Sequence, residues 1–315
     1  MKIIFLASLL FYTFFANAQV DSVTKKDNIF KTSGKVIKNS VISVPKDFFF
    51  MGREVSADLG KTGLYVLGTA SLILTDKVTT RFLHQHIEPN VMYSLPNISV
   101  FSKKTSFEGV VGNNAYMTYP IIGLYLGSLV SNKEKGQYVA MNAFKSLTHS
   151  LIISQLALKT VFGRNRPIRP LNTKDQNIAP WTRDNLDFFN GREKYFEADE
   201  KASSFPSFHA TAYFAMAKVF QMEYDNYWIP YGFMSIVFLA DIKEHNHWVS
   251  DMVVGGLVGT IIGRSIVKNS WKLRYGSTER IKKEKNVSFT LLPQFSPQLS
   301  GAPVSMYLAI NFNGK

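Results

Sequence analysis

No cysteine occurs among the 315 residues. That excludes disulfides, a thiol nucleophile and thiolate metal sites, so the fold must hold by packing alone. Acidic residues are scarce as well: 23 Asp and Glu against 36 Lys and Arg leave a formal charge of +13, which directs the surface towards phosphates, anionic lipids or nucleic acid. Charge alone does not choose among them. Apolar runs of the ~20 residues that a membrane span wants are also scarce, because most runs are shorter and carry interior polar groups. What is plentiful is apolar bulk. With 46% hydrophobic and 14% aromatic residues the chain buries a full core, and disorder is excluded as its main state.

The first residues address the compartment. Lys2 is followed by a mostly apolar stretch from Ile3 to Phe15 and then Ala16-Asn17-Ala18 before Gln19. A charged start, a short apolar stretch and a small-x-small end predict a secretory signal removed after Ala18. The protein is therefore expected to be exported, to the periplasm or the outer face of a bacterial membrane. Residues 19–60 read as a polar N-terminal segment in which Phe48-Phe49-Phe50 looks like a packing anchor.

Apolar runs bounded by Gly, Pro, Asn and Asp predict helices at about 62–76, 115–130, 139–162, 207–222, 226–240 and 249–267. Six helices with no strand pattern among them indicate an all-α bundle over residues 61–268. In 269–315, alternation at Val287-Phe289-Leu291 and at Met306-Leu308-Ile310-Phe312 follows a basic stretch and predicts a C-terminal β-hairpin. If every helix crossed a membrane after export, the residues around Arg166 would end inside. Lys133-Glu134-Lys135 and the basic stretch from Arg264 to Lys285 would instead fit positive-inside loops if the first helix lies flat. Both arrangements stay open, with association at the outer face favoured.

Three segments carry groups suited to an oxyanion. In Lys159-Thr-Val-Phe-Gly-Arg-Asn-Arg166-Pro167 the two cations are expected on one side of a helix end, two turns apart, with Pro167 stopping the helix. In Ser203-Ser204-Phe205-Pro206-Ser207-Phe208-His209, Pro206 opens a helix. The amides of Ser207 and Phe208 and the Ser207 hydroxyl would face an anion beside His209. In Asp241-Ile-Lys-Glu-His245-Asn-His247-Trp-Val-Ser-Asp251, Asp251 lies one turn from His247 and can take the proton of one ring nitrogen, leaving the other to attack phosphorus. Taken singly, each segment reads as an ordinary helix end. His245 and His247 could chelate a metal, yet no third ligand is spaced for it, so no metal and no cofactor is expected. His84-Gln-His86 reads as a polar surface turn.

Together the segments resemble the type 2 phosphatidic acid phosphatase superfamily, which includes bacterial acid phosphatases and vanadium haloperoxidases. Its pattern KxxxxxxRP, PSGH, SRxxxxxHxxxD is matched at Lys159 to Pro167, Pro206 to His209 and Ala240 to Asp251. The resemblance covers about residues 60–268 and implies a helical bundle of the acid phosphatase/haloperoxidase type. It further implies that Lys159, Arg166, Ser207 and the Phe208 amide bind phosphate, that His247 is the nucleophile with Asp251 behind it, and that His209 is the general acid. The implied activity is metal-independent hydrolysis of a phosphomonoester or diphosphate, of a lipid or a small phosphoester, through a phosphohistidine. An anionic membrane surface is the expected partner and nucleic acid is not.

Two positions depart from the pattern. Phe208 stands for Gly, and Asp241 for a phosphate-binding Arg, with Ala240 for the Ser before it. A carboxylate in the pocket would repel the substrate, so Asp241 turns away, or Lys243 fills the gap, or catalysis is weakened. Vanadium-dependent halide oxidation and a phosphate-binding envelope protein are the alternatives. Residues 168–202, polar with Trp181 and Phe188-Phe189, are long enough to form a lid that selects substrate.

Overall fold

The computed structural model describes residues 28–96, 115–169, 171, 181–195, 201–242 and 246–279, and the backbone of 287–295 and 304–312. The expected signal, Lys243 and His245 lie outside the described residues. The helices are α1 (Ile29–Ile42), α2 (Val44–Ser56), α3 (Leu59–Phe82), α4 (Ala115–Val130) and α5 (Glu134–Ser150). From α5 the chain runs through a π-helical segment (Leu151–Leu158) into one last turn, α6 (Lys159–Phe162). Then follow α7 (Phe208–Tyr224), α8 (Trp228–Asp241) and α9 (Val249–Tyr275). Two short parallel strands, β1 (Arg166–Pro167) and β2 (Trp181–Thr182), pair beside the bundle. The predicted hairpin is β3 (Val287–Phe295) with β4 (Val304–Phe312), antiparallel with Val287 opposite Phe312. The protein is all-α with a small β-hairpin.

Helix begins at Ile29, inside the stretch that composition marks only as polar. α1 and α2 each bury a narrow stripe, Val36 in the first and Phe50 and Met51 in the second, so most of their residues stay exposed, apolar Phe30, Val41, Ile42 and Phe49 among them. Of the three consecutive phenylalanines Phe50 is buried, Phe48 stacks on His149 at 4.7 Å, and Phe49 is exposed. The main core lies between α4, α5, α7, α8 and α9, around Met117, Val139, Tyr213, Met216 and Trp271.

α7 and α9 share the most extensive helix contact. Their closeness is written in Gly255, Gly259 and Gly263 on one face of α9. A Cβ at Gly255 would come within 2.6 Å of the Ser207 carbonyl oxygen, and at Gly259 within 2.2 Å of that of Thr211. This approach sets the N-terminal ends of α7 and α9, which carry His209 and His247, side by side. Among the described residues α9 alone is long and apolar enough to cross a membrane, and it is largely buried as the central helix.

Candidate active site

The site is built at the start of α9. Its first free amides are met by α3: Val249 N–H donates to Thr80 Oγ1 at 3.1 Å and Ser250 N–H to Asp76 Oδ1 at 2.8 Å. Asp251 turns back to accept from the Trp248 amide at 3.0 Å. With the backbone so fixed, the Asp251 carboxylate serves three neighbouring side chains. Oδ1 accepts from Arg164 Nη1 at 2.6 Å, while Oδ2 accepts from the Ser204 hydroxyl and lies 3.5 Å from His247 Nδ1. Burial raises the carboxyl, but Arg164 and the bonds from His247 and Ser204 more than offset it and hold Asp251 at about 2. It is ionised throughout the working range.

With Nδ1 facing Asp251, Nε2 of His247 is left facing Arg166 Nη1 at 3.4 Å. Burial, with Arg166 next in weight, holds the His247 ring well below its ordinary value of 6.5, so it is neutral at neutral pH. A neutral imidazole with an unprotonated Nε2 is the form that can attack phosphorus. His247 and Asp251 are therefore paired as the four-residue spacing suggests. The ring is buried, and so is the carboxylate.

Arg166 reaches this point by a route that helical spacing does not predict. α6 ends at Phe162 and Gly163 takes a left-handed conformation, φ 46°, where a Cβ would strike the Asn190 carbonyl oxygen at 2.2 Å. The chain then runs extended, so Arg166 lies in β1 and not on the helix of Lys159, and the break at Gly163, four residues before Pro167, ends the helix. Its guanidinium is held by Ser203 Oγ at 3.0 Å and the Asn246 carbonyl at 3.2 Å. Lys159 is buried and donates to Gln155 Oε1 at 2.7 Å, one turn back. Burial, and then the charges of Arg166 and Arg192, hold its ammonium well below the ordinary 10.5. Two crowded, desolvated cations are a place where an anion is electrostatically welcome.

Ser207 is the N-cap of α7, and its hydroxyl accepts from the Ala210 amide at 3.4 Å. Its own amide donates to the Asp251 carbonyl oxygen at 2.9 Å, so it is not open to an anion as the sequence suggests. That bond instead locks α7 to α9. The Phe208 amide heads α7 with no carbonyl of its own helix ahead of it. His209 follows in the first turn, 17% exposed, and Asp241 at the end of α8 faces it: Asp241 Oδ2 is 3.9 Å from His209 Nδ1 and accepts from the Tyr213 hydroxyl at 3.3 Å. Asp241 is thus turned towards His209.

Several residues here escape motif reading. Arg164 is fully buried and bridges Asp251 to Asp76, at 2.7 Å from the latter, with Ser250 Oγ and the Asn185 carbonyl as further acceptors. Its guanidinium also lies 4.7 Å from the Phe188 ring centre and 5.0 Å from that of Trp248. Burial raises the Asp76 carboxyl despite Arg164 beside it. Ser203, Ser204 and Gln155 complete the support. Asp76 carries no local signal at all, whereas Arg164 stands within a recognised motif and its density of cations could have found it. His84 is not on a surface turn: its side chain is 9% exposed, 3.7 Å from Glu88, and burial and then Arg169 hold it at about 4. The described part of the 168–202 segment, 181–195, is tied to the frame through Asn185, which donates to the Ile73 carbonyl at 2.6 Å. No group of three or more His, Cys, Asp or Glu suited to a metal occurs among the described residues.

A buried histidine backed by a carboxylate on one nitrogen, with Arg166 at the other and Lys159 also acting on it by charge, is an arrangement suited to an oxyanion. Residues 137–275 match the PAP2 superfamily model, and they contain every residue of the three motifs. No curated protein and no solved structure matches the chain. The match supports phosphatase-type activity on a phosphorylated substrate in general.

Proposed function

We propose that the protein is a metal-independent phosphatase that hydrolyses a lipid phosphomonoester or diphosphate through a phosphohistidine at His247. The observation that carries this reading is the orientation of His247, with Nδ1 towards Asp251 at 3.5 Å and Nε2 towards Arg166 at 3.4 Å. Lys159, Arg166 and the Phe208 amide would hold the equatorial oxygens and offset charge as it spreads over them. His247 Nε2 attacks in line, forming the N–P bond as the P–O bond to the leaving group breaks. His209 gives its proton to the departing oxygen. Water then attacks phosphorus, giving up a proton to His209, and inorganic phosphate leaves with His247 restored.

The lipid assignment rests on an apolar groove of about 490 Å³ lined by Val78, Phe82, Phe214, Phe238, Val249 and Met252. Val249 and Met252 flank the Ser250-Asp251 pair, so an apolar tail in the groove would lie beside the phosphate. Leu64, Leu67, Leu74 and Val78 on α3 and Val130 at the end of α4 are exposed, which suits contact with a bilayer. With the predicted signal, these features support work at the outer face of a membrane. Asp241 leaves two side-chain cations where the family motif has three, so in this reading the phosphate rests on Lys159, Arg166 and the Phe208 amide.

Phosphate release from long-chain lipid phosphates and from soluble esters, with and without chelator, tests the class. Hydrolysis that favours the long-chain esters, persists in chelator, is blocked by vanadate and is lost in His247→Ala is expected. Loss in chelator with recovery on adding a divalent ion would point to a metal enzyme. For location, the mature chain is expected to begin at Gln19, and N-terminal sequencing from Met1 would contradict export. Release by high salt or carbonate without detergent would show that the helices do not span, whereas a detergent requirement would support insertion.

A further inference from the structure

The position that departs most from the family motif is the one we find paired. We propose that Asp241 is a positioning residue for the general acid, holding His209 by Nδ1 so that Nε2 delivers the proton to the leaving oxygen. This rests on the phosphatase reading above.

The argument is one of two misplaced charges. His209 stands in the first turn of α7, the positive end of a helix, where a ring carrying the proton it is to donate is disfavoured. Asp241 is the last residue of α8, the negative end of a helix, where a carboxylate is equally disfavoured. Each charge is wrong for its own helix and right for the other's. They face one another at 3.9 Å, both mostly shielded, with side-chain exposures of 17% and 20%. The gap is longer than a hydrogen bond but within ion-pair range, and catalytic contacts often tighten once substrate is bound.

The carboxylate is aimed, not loose. The Tyr213 hydroxyl, one turn after His209 on α7, donates to the same Oδ2 that faces the imidazole, at 3.3 Å. Tyr213 is itself buried, with its ring 6.2 Å from that of Phe238 on α8 and 6.2 Å from that of His209. The ring of Phe208 lies 5.5 Å from that of His209, edge to face. An arginine at position 241 would put a second cation at the spot where the imidazolium needs an anion. The site then holds two carboxylate–histidine pairs: Asp251 with the nucleophile and Asp241 with the acid.

The test uses the intact chain and substituted phenyl phosphates of similar size but differing leaving-group acidity, read as kcat/KM, which covers the steps up to P–O cleavage. Phenyl phosphate needs its leaving oxygen protonated and 4-nitrophenyl phosphate hardly does. Asp241→Asn is expected to lose about tenfold on the first and less than about twofold on the second. Tyr213→Phe is expected to show the same pattern more weakly, and His209→Ala more strongly. Asp241→Arg, which a missing phosphate ligand would predict to be faster on every ester, is expected to be slower on phenyl phosphate. A uniform fall across the series in Asp241→Asn, or no change, would overturn the pairing while leaving the phosphatase reading intact. Should Asp241→Asn fail to fold, Tyr213→Phe carries the same test: a uniform effect or none overturns the pairing. Failure of the unaltered protein to hydrolyse any ester, or full activity in His247→Ala, would overturn the phosphatase reading and the pairing with it.

Discussion

Two buried clusters in this bundle contain the same three ingredients and use them differently. At the N-terminal end of α9, Asp251, His247 and Arg164 meet. Between α2, α5 and α9, Asp47, His149 and Lys145 meet, with Lys145 Nζ 2.9 Å from Asp47 Oδ2 and Asn269 donating to Oδ1 at 2.7 Å. In the second cluster His149 Nδ1 donates to the Lys145 carbonyl oxygen at 2.7 Å, its Nε2 lies 3.6 Å from Asp47, and Phe48 covers its face. Nδ1 and one face are thus taken up by the protein, and Nε2 is shut in against Asp47 with no hydrogen-bond partner. In the first cluster the carboxylate takes Nδ1 and leaves Nε2 among cations. A buried Asp–His pair is therefore structural or chemical according to which nitrogen the carboxylate faces and what surrounds the other.

Exchanging roles between the clusters should have unequal effects. The largest is expected from His247→Ala, a loss in kcat/KM of at least ~1000-fold, ~4 kcal/mol of barrier, against a change within about threefold for His149→Ala. Steady-state kinetics on one phosphoester with circular dichroism as a folding control decides it; parity between the two variants would erase the distinction.

Removing the cation of each cluster comes next. Arg164→Ala strips both Asp76 and Asp251 of their partner and is expected to cost about 3–5 kcal/mol of stability, seen in urea unfolding, together with activity. Lys145→Ala should lose a similar amount because Asp47 is left buried and unpaired, while the activity per folded molecule stays near that of the parent. Arg164→Lys should rescue little, since one ammonium cannot span two carboxylates and a carbonyl. A smaller effect is expected of Ser204→Ala, about tenfold in kcat/KM, ~1.4 kcal/mol, because the hydroxyl only helps to hold Asp251.

The smallest predicted effect is on stability against pH. The folded state keeps His247 neutral below its ordinary 6.5, so the unfolded chain takes the proton first and stability falls as pH drops below 6.5. Asp251, held at about 2 against an ordinary 3.8, adds a second loss as pH falls from about 4 through about 2. Unfolding curves of the parent and His247→Gln should converge as pH is lowered below 6.5. Ring-nitrogen NMR should find His247 uncharged at pH 6.5; a protonated ring there would contradict the assignment.

Much of this was legible in the sequence, for identifiable reasons. Helix positions follow from apolar runs between breakers, and the pairing of His247 with Asp251 follows from a four-residue step that geometry respects once α9 is formed. Lys159 and Arg166 were readable as neighbours but not by the right path, because the left-handed turn at Gly163 is invisible to a helical count. Asp76 and Asn185 were not legible, since their importance comes from the packing of α3 and of residues 181–195 against α9. The direction of Asp241 was left open by the motif and depended on where α8 ends relative to α7. α1 and α2 were missed because each buries so little.

The central claim is that phosphate passes through Nε2 of His247. The most direct measurement is a rapid quench with a phosphorus-labelled ester at neutral pH, followed by peptide mapping under alkaline conditions, which preserve a phosphoramidate. The account predicts label on His247, lost on acid treatment, formed and discharged at rates compatible with turnover, and absent from His247→Ala. Turnover with no label on His247, together with activity retained in that variant, would contradict it.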